Sequence, residues 1–135
     1  MPALAKHITH LSATVVAPAE ARAALGAAVE APIAEDVLET ARLLVAELVT
    51  NSVRHAIVPA GSDIRIEIDD DDDGLLRVEV HDSGRETPDL RPAERPEGGF
   101  GLQLVDQLAD RWGSVRSGEG TCVWFELQLA PMSSV

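Results

Sequence analysis

From Ala31 to Ala56 the chain repeats apolar side chains at helical spacing, and this pattern limits the folds open to it. The stretch "APIAEDVLETARLLVAELVTNSVRHA" has Pro32 near its start and Glu35 and Asp36 in the first turn, where negative charge suits the helix dipole. It predicts a helix of roughly 21 residues, about 31 Å long. At about 100° per residue, Val37, Ala41, Leu44, Val45, Leu48 and Ser52 fall on one stripe, which should face a sheet.

The strands for that sheet are legible on either side. "HITHLSATVVAP" alternates β-branched residues and predicts a first strand up to Val16, with Pro18 opening a short alanine-rich helix, "PAEARAALGAAVE". "SDIRIEIDD" and "LLRVEVHDSG" alternate with the period of a strand, and the acidic run Asp69 to Asp73 with Gly74 reads as their solvated turn. A calcium loop would need a twelve-residue frame with a closing Glu, which is missing. "GLQLVDQLADRW" resumes helical spacing, and "GSVRSGEGTCVWFELQLA" reads as a closing hairpin. Between them, "RETPDLRPAERPEGG" (Arg85 to Gly99) has three prolines, two glycines and no periodicity, as in a functional lid. The order is β, α, α, ββ, lid, α, ββ.

With 135 residues, one domain spanning 1–135 is expected. Apolar residues make up 45% but aromatics only 3%, so the core must come from Leu, Val, Ile and Ala, which favours mixed helix and sheet. A net charge of −12 argues against direct nucleic-acid binding, which needs clustered Lys and Arg. No signal-like or membrane-spanning run is present, and Cys122 is the single cysteine, so the chain reads as soluble and cytoplasmic. With one cysteine and four scattered histidines (His7, His10, His55 and His81), a structural zinc site is not expected.

Within "ELVTNSVRHA", Glu47 and Asn51 stand one turn apart on the border of the apolar stripe. Asn is a mediocre helix former, and a carboxylate at the edge of a core is costly unless paired, hydrated or bound. Two readings fit. Glu47 pairs with Arg42 or Arg54 while Asn51 caps a loop, or the two form an oxygen-rich wall, Asn51 suiting a phosphate-bound Mg²⁺ and Glu47 a base. His55 reads as a core histidine.

Asp82 ends an apolar strand and is followed by Ser83 and Gly84. This is either a simple turn or an acceptor for the exocyclic amine of a purine, with Gly84 letting the base approach. "EGGFGLQLV" sets Gly98, Gly99 and Gly101 before a helix that lacks an ordinary N-cap, so a phosphate could satisfy its free amides. It is neither a Walker A motif nor part of a Rossmann unit.

Together, "ELVTNSVRHA", "VHDSG" and "GGFGLQLV", in that order and on those element types, resemble the GHKL superfamily of gyrase, heat-shock chaperones, histidine kinases and MutL. Within it the chain looks like the RsbW-type anti-sigma factor serine/threonine kinases. The resemblance implies an α+β two-layer sandwich: a mixed, mostly antiparallel sheet, covered on one face by helices, with an ATP lid at about 85–101. It matches Glu47 to the general base and Asn51 to the Mg²⁺ ligand. Asp82 corresponds to the adenine acceptor, Gly84 to the glycine beneath the base, and Thr121 to a threonine that helps hold adenine through water. Gly98, Gly99, Gly101 and Leu102 correspond to the hinge and helix start that close the lid over the phosphates.

The activity implied is transfer of the ATP γ-phosphate to a serine or threonine of an anti-anti-sigma (STAS-type) protein, with ATP and Mg²⁺ as cofactors and a sigma factor as second partner. Arg85, Arg91 and Arg95 are candidates for a γ-phosphate contact. The resemblance further implies a homodimer formed through the first strand and helix. The alternative is a module that holds ATP or a protein partner without transferring phosphate.

Overall fold

The computed structural model describes residues 5–29, 35–54, 61–70, 74–83, 100–117 and 120–129. Pro32, His55, the tip 71–73 and the lid segment 84–99 lie outside them. The elements are β1 (Ala5–Ser12), α1 (Ala17–Ala28), α2 (Glu35–Arg54), β2 (Asp63–Asp70), β3 (Leu75–Asp82), α3 (Phe100–Leu108), β4 (Arg111–Ser117) and β5 (Gly120–Gln128). This is the order expected from the sequence.

The five strands form one sheet in the order β1-β2-β3-β5-β4, and every ladder is antiparallel. The parallel component of the expected mixed sheet is therefore absent among the described residues, and the connections explain why. Two helices separate β1 from β2, so the chain travels out and back before it pairs. One helix separates β3 from β4, which run in the same direction, but β5 inserts between them and opposes both.

Period-two alternation sorts the side chains into two faces. Ile64, Ile66 and Ile68 of β2, Leu76, Val78 and Val80 of β3, and Phe125 and Leu127 of β5 are buried against the helices. The helices answer with Ala17, Ala21 and Leu25 of α1, Ala41, Leu44, Val45, Leu48 and Val49 of α2, and Val105 of α3. Burying each larger aliphatic side chain contributes about 1.5–3 kcal/mol. The α2 stripe read from the sequence is the buried face, with Val37 only partly covered. Intervening residues such as Arg65, Glu67, Arg77, Glu79 and His81 form the other face of the sheet, on which no described helix packs.

The ends of three elements differ from expectation. β1 stops at Ser12 rather than Val16: Thr14 accepts the Ala17 amide on its carbonyl and the Val16 amide on Oγ1, turning the chain into α1. The third helix ends at Leu108 rather than Trp112, because Asp110 bonds through its amide to the Glu126 carbonyl and through Oδ2 to the Gln128 amide. That draws Arg111 and Trp112 into β4, opposite Glu126 and Phe125. α3 itself begins at Phe100, so Gly101 lies within its first turn rather than before it, and Leu102 stands at the helix start as expected.

Candidate functional site

The C-terminal end of β3 lies beside the start of β5, with Asp82 directly opposite Thr121. Alternation aims both at the helix-covered face, Asp82 continuing the row of Val78 and Val80, and Thr121 that of Phe125. Thr121 is buried. A carboxylate at the rim of an apolar core needs a partner, and Ser52, the last buried residue of the α2 stripe, donates its hydroxyl to Asp82 Oδ2 at 2.8 Å. One hydrogen bond thus ties α2 to the strand end.

Asn51 immediately precedes Ser52, and Glu47 stands one turn earlier; both are half-buried. Arg42, one of the two partners considered for Glu47, pairs instead with Glu39 at 3.3 Å. Glu47 also borders a depression lined by residues of both α1 and α2, among them Arg22, Arg42 and Leu43. The structure therefore brings Asn51, Asp82 and Thr121 to one end of the sheet through Ser52, with Glu47 on the same helix flank. Gly101 and Leu102 are set in the first turn of α3, which packs on α2. Gly84, Gly98 and Gly99, like Arg85, Arg91 and Arg95, lie outside the described residues.

Two residues of this corner escape a reading of the sequence alone. Ser52 looks like an ordinary member of a buried stripe, and only its contact with a residue thirty positions away, Asp82, gives it a role. Gly120 has φ +141°, and a Cβ there would collide with the Asp82 carbonyl oxygen and crowd Ser83. Only glycine lets β5 begin this close to Asp82. The spacing "GEGT" is its one visible signal.

These residues fit a purine nucleotide. Asp82 is an acceptor with its orientation held by a hydroxyl, a buried Thr121 stands across the ladder, and Gly120 keeps the backbone beside them bare. The Asn51 amide oxygen and the Glu47 carboxylate supply hard oxygen donors, the type that suits magnesium bound to phosphates.

The opposite face of the same strands is a polar lattice. Arg77 donates to Glu79 Oε2 at 2.9 Å and to Glu126 Oε2 at 2.8 Å, while its guanidinium lies 4.1 Å from the Trp124 ring centroid. Burial alone would raise the Glu126 carboxyl, but hydrogen bonds from Arg111 and Arg77 outweigh it and hold the group below its ordinary value. Asp69 goes the other way: burial raises it, and the negative charges of Glu79 and Glu67 add to the rise, partly offset by Lys6 and Arg77.

Residues 11–127 match the family model of the histidine kinase-like ATPase domain. The chain belongs to that family, which is part of the GHKL superfamily. Among solved structures it is similar to the RsbU and RsbW domains of Rv1364c from Mycobacterium tuberculosis, with a TM-score of 0.70 and 20% identity over 91% of this chain and 32% of that one. It also resembles the histidine kinase domain of the Erythrobacter litoralis EL346 blue-light activated histidine kinase, with a TM-score of 0.57 and 30% identity over 70% of this chain and 45% of that one. A second EL346 structure aligns with a TM-score of 0.65 and 23% identity, over 87% of this chain and 42% of that one. The chain thus spans 32% to 45% of the length of these structures. No curated protein sequence matches it significantly. No described helix is long and apolar enough to cross a membrane.

Proposed function

We propose that this ATPase-family domain is a protein serine/threonine kinase of the anti-sigma type. In this reading it acts in the cytoplasm on an anti-anti-sigma protein of the STAS kind, holds a sigma factor as its second partner, and pairs with a second copy of itself. The observation that carries the site is the Ser52 to Asp82 hydrogen bond, which couples the helix bearing Glu47 and Asn51 to the strand-end acceptor.

Bound Mg·ATP supplies the phosphoryl group and a cation that neutralises phosphate charge. Asp82 accepts a hydrogen bond from the exocyclic amine of adenine, its carboxylate oriented by Ser52. Thr121, across the ladder, supports the base through water, and the family resemblance assigns Gly84 to the position beneath it. Asn51 presents its amide oxygen to the magnesium. The family resemblance assigns Gly98 and Gly99 the role of hinge, and the first turn of α3 at Gly101 and Leu102 offers backbone amides to the phosphates. Glu47 takes the proton from the acceptor hydroxyl as that oxygen becomes the phosphate ester, and ADP leaves.

Two substitutions test this. Asp82→Asn turns an acceptor oxygen into a donor, and calorimetric titration with Mg·ATP should show affinity falling by more than about tenfold, a loss expected when a buried polar pairing fails. Glu47→Ala should leave ATP affinity within about threefold of the wild type while phosphotransfer to a serine-bearing STAS protein drops by at least about 100-fold. Unchanged transfer by Glu47→Ala would remove the base from the proposal. Nucleotide binding without transfer by the wild type, across candidate STAS acceptors, would leave a non-catalytic ATP-binding module.

A further inference from the structure

We propose that Glu79, His81 and Cys122 form a site for a borderline-soft divalent cation of the zinc class, on the face of the sheet opposite the nucleotide residues. Glu79 and His81 are two apart on β3 and share a face, and Cys122 of β5 lies directly opposite His81 in the ladder. Their donor atoms all lie within 4.8 Å of one another. His81 Nε2 is 2.9 Å from Glu79 Oε1 and 3.7 Å from Cys122 Sγ.

A single ring nitrogen cannot serve both neighbours. If Nε2 carries a proton, it donates to Glu79 and has no lone pair for the thiol; if it does not, it accepts from the thiol and faces the carboxylate lone pairs. A cation among the three satisfies all of them at once. In a tetrahedral zinc site with bonds of about 2.0–2.3 Å, donor atoms stand roughly 3.3–3.6 Å apart. The Cys122 to His81 separation is already close to this, and the Glu79 to His81 pair needs to open by about half an ångström.

The surroundings suit a bound cation. Glu67 Oε2 lies 3.9 Å from the same nitrogen and adds a second carboxylate. Arg77 holds the other oxygen of Glu79 at 2.9 Å, so that carboxylate is oriented from behind, while Arg65 holds at 2.8 Å the same Glu67 oxygen that faces His81. A depression of about 410 Å³, lined by His81 and Cys122 and also by Arg65, Asp82 and Thr121, opens beside these two ligands and leaves space for water as a further ligand. The sulfur and nitrogen donors suit an ion of the zinc class, whereas Mg²⁺, which prefers oxygen donors, has little affinity for this donor set.

Cobalt reports on such a site directly. The untagged full chain titrated with Co²⁺ should bind one equivalent, develop a thiolate-to-cobalt band in the near ultraviolet with tetrahedral d–d bands in the visible, and lose both on adding Zn²⁺. Cys122→Ser should abolish the near-ultraviolet band, and His81→Ala should weaken binding by more than about tenfold, the scale of even outer-shell losses. Glu79→Gln keeps the side-chain shape and should weaken binding similarly, so the result survives a folding defect in either other variant. A control at His7 and His10, on β1, should bind like the wild type. Absence of the thiolate band in the wild type, or its persistence in Cys122→Ser, overturns the site.

Discussion

At the end of β3 two neighbouring residues meet opposite surroundings. Asp82 faces the helices, where a buried serine hydroxyl holds it beside Thr121. His81 faces away, where a thiol and two arginine-bound carboxylates collect around its ring. The inner face is an apolar core interrupted by a few oxygen donors at its rim, while the outer face is a nearly continuous lattice of charge. On the two proposed assignments, one strand carries a nucleotide corner on one side and a soft-cation corner on the other.

The difference between the faces sets the largest expected effect on stability. Phe125 is fully buried on the inner side, and Phe125→Ala should cost about 3–5 kcal/mol in urea unfolding. Trp124, its neighbour on the outer side, stacks with Arg77, and Trp124→Ala should cost about 0.5–2 kcal/mol. Equal losses at the two positions would break the distinction between a packed face and a polar one.

A smaller effect sharpens it at the site. Ser52→Ala removes the hydroxyl that orients Asp82 and should lower stability by about 1–2 kcal/mol. Mg·ATP affinity, read by calorimetry, should fall about tenfold with it, while cobalt binding on the other face stays as in the wild type. A Ser52→Ala protein with unaltered ATP affinity would separate the hydrogen bond from nucleotide recognition.

The smallest effect is a pH dependence confined to the outer face. Glu126 is held below its ordinary carboxyl value in the folded protein, so the stability it contributes is complete above the unfolded value of about 4.3 and is lost as pH falls through the lowered folded value. Glu126→Gln should therefore be less stable than the wild type by about 1 kcal/mol at neutral pH. That gap should close under strongly acidic conditions, as denaturant midpoints at several pH values would show. A gap that stays constant into acid would mean that the arginine contacts of Glu126 add no linked stability.

Periodicity makes the inner face legible in the sequence. The α2 stripe, the alternating isoleucines of β2 and the valines of β3 are local patterns, and each marks the side that is buried. Glu47, Asn51, Asp82 and Thr121 likewise stand out in short motifs on recognisable elements. What stays hidden depends on which strands meet and in what register. Ser52 gains its partner only when α2 lies over the end of β3, and Gly120 is constrained only because β5 starts against Asp82. Scattered histidines and one cysteine argue against zinc, yet the ladder places His81 opposite Cys122, a pairing no linear spacing reveals. The insertion of β5 between β3 and β4 hides the antiparallel character of the sheet in the same way.

The opposed pairs Asp82–Thr121 and His81–Cys122 also restrict how the chain can vary in length. Deleting or adding one residue within β3 or β5 would exchange the faces of everything beyond it, turning an imidazole toward the nucleotide corner and a carboxylate toward the thiol. Both strands are thus fixed as measured lengths between their turns. A change of length inside either ladder would therefore be felt at both corners at once.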